Sequence, residues 1–368
     1  LFLIGLAFLV LGGLVFIFGN LGIINSPIIT QNALKLGTLL EMIFLSILMA
    51  GRYKQLQEER EKAQRALLIE LEEKNRIALE ANERLESEVK ERTREIEEQR
   101  LELKEKNEDF IASVTYAERI QSAVLSNEEK FTNLLPDSFV FFRPKDVVSG
   151  DFYWVDELES DNIRTANRHA YVTADCTGHG VPGALVSIIG NHLLEAGKVS
   201  NGLLNPGKAL DELSIGMNAA LNSRYSSLQL RDGMDLTLCV LDLQKRKLYF
   251  SGARNSAYIV RSGELIELKG DRKSIGFNPN EESHQFQTQT LDLELGDMIY
   301  TCSDGFADQF GGENGKKFMS KQLKSLFIEI SELPLNEQKT SLENALNTWM
   351  GRHEQLDDIL VIGVKITA

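Results

Sequence analysis

The chain begins with an uninterrupted apolar run, residues 1–19, that contains no charged side chain. A helix of about 20 such residues crosses the hydrocarbon core of a bilayer, so this run predicts a membrane-spanning helix. A secretory signal peptide is the alternative interpretation. It requires a basic segment before the apolar run and a small-residue cleavage site after it, and the sequence has neither.

A second apolar run, residues 36–51, is shorter and includes Glu41. Alone it is ambiguous between a membrane span and a buried helix, but its position after the first run favours a membrane hairpin. The basic residues Arg52, Lys54 and Arg60 follow it, which by the positive-inside rule predicts that everything downstream is cytoplasmic. Since the chain starts inside a membrane segment and without methionine, we expect it to be the end of a longer sensor.

Residues 52–126 contain no proline or glycine and are rich in Glu, Lys, Arg, Gln and Leu, a composition typical of a long exposed helix. The pattern predicts a coiled coil that makes the chain a homodimer. The companion heptad position is mostly polar, so the coil is expected to be weak, as a signal-transmitting linker requires. An exposed single helix is the alternative. Apolar residues recur at heptad spacing: Leu71, Ala78 and Leu85, then Val89, Ile96, Leu103, Phe110, Ala117 and Val124.

After about residue 126, short β-branched and aromatic runs alternate with turn residues and amphipathic stretches. The connections between strands look like hairpins, so two antiparallel sheets with outer helices fit better than a doubly wound parallel sheet. We predict a transmembrane hairpin (1–51), a coiled-coil linker (52–126) and a globular domain (127–368). Predicted strands are 139–143, 151–156, 169–174, 234–243, 247–253, 257–261, 298–303 and 359–366, and predicted helices are 182–196, 206–223, 320–330 and 335–350.

Charge and cysteine content exclude two classes of protein. The net charge of -14 and the pI near 5.0 argue against nucleic-acid binding, since no basic stripe is available to contact phosphates. Cys176, Cys239 and Cys302 lie far apart in the sequence and form no C-x-x-C pair, so neither a zinc site nor a redox centre is expected.

Four acidic clusters stand at the starts or ends of predicted strands, and they contain Asp151, Asp175, Asp304 and Asp357. A single Asp-Gly pair indicates only a hairpin turn. Four converging carboxylates without compensating Lys or Arg repel one another, however, unless a cation is bound. Oxygen ligands favour magnesium or manganese over zinc. Two such ions would activate a water for attack on phosphorus, so the sequence predicts a metal-dependent hydrolase.

The four clusters occur in a recognisable order as V-S-G-D-F-Y (148–153), A-D-C-T-G-H-G-V-P-G-A (174–184), T-C-S-D-G (301–305) and D-D-I-L-V-I (357–362). In this order, the chain from 139 to 366 resembles the SpoIIE-like branch of the metal-dependent PPM-type protein phosphatases. The resemblance implies an α+β fold, an αββα sandwich of two antiparallel sheets, and a site for two Mn²⁺ or Mg²⁺ ions.

The resemblance also implies roles for single residues. Asp175 is expected to bridge both ions, and Asp304 and Asp357 complete the first ion's ligands, so Asp175 and Asp304 are the principal catalytic candidates. The backbone carbonyl of Cys176 is expected to bind the second ion. Asp151 is expected to be a ligand or to hold a water.

His179 is a candidate general acid for the departing serine or threonine oxygen. The alternative is a hydrogen bond within its glycine-rich turn. Arg143 or Lys145 is a candidate for binding the incoming phosphate, with simple solvation at the surface as the alternative.

Three further aspartates are weaker candidates for metal binding. Asp358 is expected to orient its neighbours more than to bind metal. Asp232 and Asp235 would approach an additional metal ion, or they belong to a hairpin turn.

The sequence therefore predicts a signal-regulated phosphatase anchored in a bacterial cytoplasmic membrane, with its coil and catalytic domain in the cytoplasm and a phosphoserine or phosphothreonine protein as substrate. The resemblance implies a phosphorylated STAS-type anti-sigma-factor antagonist. We expect the helix around residues 110–125 to couple the coil to catalysis. A non-catalytic phosphoprotein-binding scaffold is the alternative. A sensor histidine kinase is disfavoured because no histidine precedes His169.

Overall fold

The computed structural model describes residues 2–158, 168–199, 205–222, 232–276 and 285–367. The chain divides into two compact units, Leu1–Leu103 and Lys104–Ala368.

The first unit contains α1 (Phe2–Asn20) and most of α2 (Pro27–Val124). Pro27 suits the start of a helix, where a backbone N–H has no helical acceptor to lose. Both helices are long and apolar enough to cross a membrane, judged by length and composition. They pack closely at Gly12 and Gly37, where an added Cβ would lie 2.8 or 2.9 Å from a backbone oxygen of the opposite helix. Small residues at such positions are typical of helix pairs in membranes.

Beyond the apolar run, α2 continues without a break, and every residue from 51 to 113 is exposed. The apolar heptad residues share this exposure, with Val89 57%, Ile96 62% and Leu103 69% accessible. The predicted long helix is therefore present, and its apolar seam is uncovered in the single chain.

The second unit contains the end of α2 and the globular domain. Its further helices are α3 (Glu128–Leu134), α4 (Gly180–Val199), α5 (Pro206–Leu221), α6 (Gly305–Asp308), α7 (Ser320–Ile330) and α8 (Leu335–Met350). Its strands are β1 (Ser138–Arg143), β2 (Phe152–Glu157), β3 (Arg168–Cys176), β4 (Gly233–Asp242), β5 (Lys247–Ala253), β6 (Ala257–Arg261), β7 (Glu264–Leu268), β8 (Ile275–Gly276), β9 (Gln289–Asp292), β10 (Met298–Cys302), β11 (Phe310–Gly311), β12 (Lys316–Lys317) and β13 (Ile359–Lys365).

The strands form two main sheets in which neighbouring strands are antiparallel. Sheet one has the order β1-β13-β10-β6-β7, and sheet two has the order β2-β3-β4-β5-β9 with β8 paired to β4. A separate hairpin joins β11 and β12.

Successive side chains of each strand point to opposite faces of its sheet. Tyr171 and Phe250 of sheet two meet Ile299 and Ile362 of sheet one in a shared apolar core, which Phe131 of α3 closes. The outer face of sheet two packs against α4 and α5, and the outer face of sheet one packs against α7 and α8. This αββα arrangement confirms the predicted fold class.

The sequence prediction differs from the structure mainly in short elements. The strands β7, β8, β9, β11 and β12 and the helices α3 and α6 were not predicted, because most of them are too short for a clear periodic pattern. The helix α4 begins at Gly180 instead of 182. The predicted end of the next helix, at 223, lies outside the described residues.

Candidate active site

Strand alternation brings the first carboxylates together between the sheets. On β3, Tyr171 belongs to the core between the sheets and Thr173 bonds across it, so Asp175, two residues further on, has the same orientation. Asp235 on β4 is paired with Asp175 in the register of sheet two. Asp151 immediately precedes β2, whose first residue pairs with Ala174. Three carboxylates therefore lie at one end of sheet two.

Sheet one brings the other two carboxylates to the same edge. Asp304 follows β10 and Asp357 precedes β13, and these adjacent strands are paired up to Cys302 and Val361. The sheets are joined near this edge by a buried hydrogen bond of 2.6 Å between the hydroxyls of Thr173 and Thr301.

Glycine contacts join the four motifs in pairs. A side chain at Gly150 or Gly183 would overlap the carbonyl oxygen of Gly178, so the first motif is packed directly against the second. A side chain at Gly305 would overlap the carbonyl oxygen of Asp358, which joins the third motif to the fourth. The backbone approaches so closely at these points that only glycine fits.

The resulting group of carboxylates is strongly electronegative. Burial, followed by the carboxylates of Asp304 and Asp357, raises the pKa of Asp175 to about 8. Burial first, and then Asp308 and Asp357, also raise the pKa of Asp304. The pKa values of these two carboxyls are raised because like charges lie close together in a partly desolvated site.

Asp151 is the most buried member of the group, with 2% of its surface accessible. Burial and then the neighbouring Asp175 raise its pKa well above the ordinary value. Among the residues that the structure describes, its Oδ2 has no hydrogen-bond partner. A buried carboxylate oxygen without a donor, next to other carboxylates, is the chemistry that suits a hard cation. In the described part of the chain, no three His, Cys, Asp or Glu side chains meet as a ready-made ligand set.

Asp358 has a different environment from Asp357. It is buried, and its two oxygens accept hydrogen bonds from the backbone N–H groups of Lys145 at 2.8 Å and Gly150 at 2.7 Å. These bonds hold the loop that carries Asp151, which is the geometry of an orienting residue. Asp357 is exposed and accepts a bond of 2.9 Å from the backbone N–H of Asp358.

His179 lies between two charged side chains at the rim. Its Nδ1 is 2.8 Å from Asp146 Oδ2, and its Nε2 is 3.1 Å from Lys145 Nζ. Because an ammonium only donates, Nε2 is the acceptor and the Nδ1–H donates to Asp146. In this arrangement the Lys145 ammonium lies next to the Nε2 atom of His179.

Arg143 and Asp232 lie at the borders of strands. The Arg143 Nη1 donates a 2.7 Å hydrogen bond to Asn347 of α8, so its guanidinium is directed to that helix. Asp232 immediately precedes β4, and the side chain that faces the site from this strand is Asp235. Burial raises the pKa of Asp235, while Arg254 opposes the shift.

The end of α2 reaches the same loop through Gln121, which is buried. Its Nε2 donates to Ser149 O at 2.6 Å and to Ser187 Oγ at 2.9 Å, and its Oε1 accepts from Ser149 N at 3.2 Å. One side-chain amide therefore holds both backbone groups of the residue two places before Asp151. Nothing in the heptad pattern singled out Gln121.

An αββα sandwich with a carboxylate group at the edge of its two sheets is the architecture of PP2C-type serine/threonine phosphatases, to which this chain is homologous. The chain belongs to the SpoIIE family: the family described as Stage II sporulation protein E (SpoIIE) matches residues 165–367. The SiaA-PP2C domain of Pseudomonas aeruginosa is 31% identical, with a TM-score of 0.61 over 70% of this chain and 98% of that domain.

Two further structures match part of the chain at lower identity. The PP2C domain of SpoIIE from Bacillus subtilis, solved with a fragment of its regulatory domain, is 20% identical with a TM-score of 0.47, over 63% of this chain and 61% of that one. The RsbU and RsbW domains of a Mycobacterium tuberculosis protein are 16% identical with a TM-score of 0.48, over 64% and 61%. No protein with a curated description matches the sequence.

Proposed function

We propose that the chain is a membrane-anchored, metal-dependent phosphatase that hydrolyses phosphoserine or phosphothreonine on a cytoplasmic regulatory protein. The observation that carries this proposal is the convergence of Asp151, Asp175 and Asp304 between the two sheets, with raised pKa values and an unpartnered buried oxygen. Membership of the SpoIIE family supports the reaction class.

The site suits two Mn²⁺ or Mg²⁺ ions, the metals that PPM-type phosphatases use. Asp175, Asp304 and Asp357 would hold one ion, and Asp175 with the carbonyl of Cys176 the other, with Asp151 as a ligand or a holder of water. When bound, the ions would acidify a water and neutralise charge on the phosphoryl oxygens. Cys176 is buried beside β4, which fits a role for its backbone oxygen and not for its thiol.

The chain's own residues prepare this site. Asp358 and Gln121 both hold the loop before Asp151, through hydrogen bonds to the backbone of residues 145–150. Lys145 is positioned by the Asp146–His179 pair to donate a hydrogen bond or proton to the departing oxygen, the part first assigned to His179.

We place α1 and the start of α2 in the bacterial cytoplasmic membrane and the remainder in the cytoplasm. The length and apolarity of these helices and the basic residues after the second run support this topology. The exposed heptad seam supports a homodimer through a coiled coil, with domains near 1–51, 52–126 and 127–368. The family supports a phosphorylated STAS-type anti-sigma-factor antagonist as substrate.

Phosphate release from a phosphoserine peptide, with added Mn²⁺ or Mg²⁺, tests the proposal. The native chain is expected to release phosphate, and Asp175→Asn and Asp304→Asn to lose at least about 100-fold in rate, as expected when groups that stabilise the transition state are removed. Asp292→Asn is the matched control, because Asp292 is exposed on the edge strand β9. A native chain that binds the peptide but is inactive with every metal would instead support the scaffold function.

A further inference from the structure

Arg254 lies in the turn between β5 and β6 with a left-handed backbone, φ 58°. This conformation costs a non-glycine residue about 1 kcal/mol or more, so glycine would be the easier choice. The turn is held by a 2.7 Å hydrogen bond from Arg254 N to Asp271 O. An arginine kept at a position that favours glycine suggests that its side chain has a function.

The guanidinium of Arg254 adjoins the carboxylate group. Its Nε is 3.9 Å from Asp235 Oδ2, and the side chain remains 60% accessible. Asp235 in turn is paired with Asp175 in the sheet register. Arg254 therefore lies at the mouth of the site, in loose contact with one carboxylate and otherwise open.

Among the described residues, three lysines near this rim have closer partners than Arg254 has. Lys317 Nζ is 2.6 Å from Asp308 Oδ2, Lys145 Nζ is 3.1 Å from His179 Nε2, and Lys324 Nζ is 3.0 Å from Glu267 Oε1. An arginine can also contact two phosphoryl oxygens at once through its planar guanidinium, which a lysine cannot do. Of these four cations, Arg254 is the one best suited to bind a phosphate.

A polar cleft of about 170 Å³ extends from Arg254 past the carboxylate of Asp304. Within the described chain, the side-chain amide nitrogen of Asn255 in its wall is buried and has no hydrogen-bond partner. An unpaired buried donor is costly, and a rotation of the Asn255 side chain towards the cleft would let the carbonyl of an extended peptide accept from it. Other residues that line the cleft are Ser256, Tyr258, Ser320 and Lys324.

We propose that Arg254 binds the phosphoryl group of the substrate and that the cleft beside Asp304 receives the peptide next to the phosphoserine, with Asn255 donating to its backbone. This inference rests on the proposed function, and it identifies the recognition elements that set substrate affinity. Neither Arg254 nor Asn255 belongs to the motifs that suggested a phosphatase.

The test uses the full chain in mild detergent with saturating Mn²⁺. Arg254→Gly keeps the left-handed turn unstrained, so loss of folding is avoided. It is expected to raise the KM for a phosphoserine peptide and the inhibition constant of inorganic phosphate by about 10- to 100-fold, the loss expected for a charge-assisted hydrogen bond. Arg246→Gly is the matched control, because Arg246 has φ 47° and precedes the opposite end of β5. It should change both constants less than twofold.

The cleft is tested with the unphosphorylated serine peptide as an inhibitor. Asn255→Ala is expected to weaken inhibition by this peptide about fivefold or more, the effect of one lost hydrogen bond, and to leave inhibition by phosphate unchanged. Arg254→Gly should show the reverse pattern. The Mn²⁺ concentration giving half-maximal rate should stay the same in both variants, which separates substrate binding from damage to the metal site.

Unchanged phosphate inhibition in Arg254→Gly would overturn the role of Arg254, and unchanged peptide inhibition in Asn255→Ala would overturn the role of the cleft. Failure of the proposed function looks different, because the native chain would then release no phosphate. In that case the same variants are compared by fluorescence anisotropy of the labelled phosphoserine peptide. Arg254-dependent binding would uphold this inference for a scaffold, and binding that ignores Arg254 would refute it.

Discussion

Asp304 lies where negative charge is concentrated, since burial, Asp308 and Asp357 all raise its pKa. Part of the folding free energy is therefore spent in holding like charges together when no cation is bound. Removing one charge and supplying a metal ion should therefore both stabilise the fold, and each should reduce the effect of the other.

We expect Asp304→Asn to raise the Tm of the metal-free chain by about 1 °C, because it relieves repulsion that solvent partly screens at this exposed side chain. The same variant should lose most of the stabilisation that Mn²⁺ gives the native chain. Differential scanning calorimetry with EDTA and with Mn²⁺ measures both effects. Asp292→Asn should behave as the native chain, and a lower metal-free Tm for Asp304→Asn would contradict the prediction.

His169 gives a second prediction at the residue scale. Burial lowers its pKa below the ordinary 6.5, and the Glu157 carboxylate opposes this only in part. Below pH 6.5 the unfolded chain therefore binds a proton more readily than the folded chain, and stability falls as the pH falls. Above that pH the contribution is fully present.

Aspartates such as Asp175, whose pKa is raised by burial, add stability as the pH falls, so the contribution of His169 is measured as a difference between two chains. Between pH 7.5 and 5.5 the Tm of the native chain should fall relative to the Tm of His169→Gln. His192→Gln is the control for replacing a histidine, since His192 is exposed on α4. Equal pH dependence in the native chain and His169→Gln would refute this assignment.

At the scale of elements, α2 is the helix that joins the exposed coil to the catalytic loop. Val114 near its end packs with Val148 and Ala184, and Gln121 holds the backbone of Ser149. A small movement of these last turns would shift Ser149, which is adjacent to Gly150. The N–H of Gly150 in turn donates to Asp358.

Gln121→Ala should lower the free energy of unfolding by about 1–3 kcal/mol, because it leaves buried backbone groups of Ser149 unpaired. It should also raise the Mn²⁺ concentration needed for half-maximal phosphatase rate, because the loop that carries Asp151 is released. Ser122→Ala, on the exposed side of the same turn, is the control. A loss of stability without any change in metal dependence would mean that Gln121 is only a structural residue.

At the scale of the whole molecule, the exposed seam of α2 and the catalytic domain belong to separate compact units of one chain. Apolar side chains such as Ile96 and Leu103 are more than half exposed in the single chain, which supports the proposed coiled coil. A second copy that covers the seam would let a signal reach both catalytic domains through α2.

Ile96→Asp should shift the full chain in detergent from dimer towards monomer, since a charge in the seam faces its own copy. Sedimentation velocity measures this shift. Glu98→Asp, a conservative change on the same exposed stretch, should leave the dimer intact. A native chain that sediments as a monomer would contradict the coiled-coil proposal directly.

Local patterns in the sequence were sufficient to predict several helices and strands of this protein. The helices 320–330 and 335–350 and the strands 247–253 and 257–261 have the predicted bounds, because periodicity and turn residues are local properties. The acidic motifs could be recognised for the same reason: each carries its aspartate in or next to its strand, and three of the four also carry a glycine. The short elements β7 and β9 lacked such a pattern.

Contacts between residues that are far apart in the sequence became known only from the tertiary structure. The pairing of Asp175 with Asp235 and the approach of Arg254 depend on the register of β3, β4 and β5, which local periodicity leaves open. Similarly, the heptad pattern describes α2 but does not place Gln121 against Ser149. These contacts come from strand pairing and core packing between distant segments. The acidic motifs could therefore be recognised in the sequence, whereas the positions of Arg254 and Gln121 beside them could not.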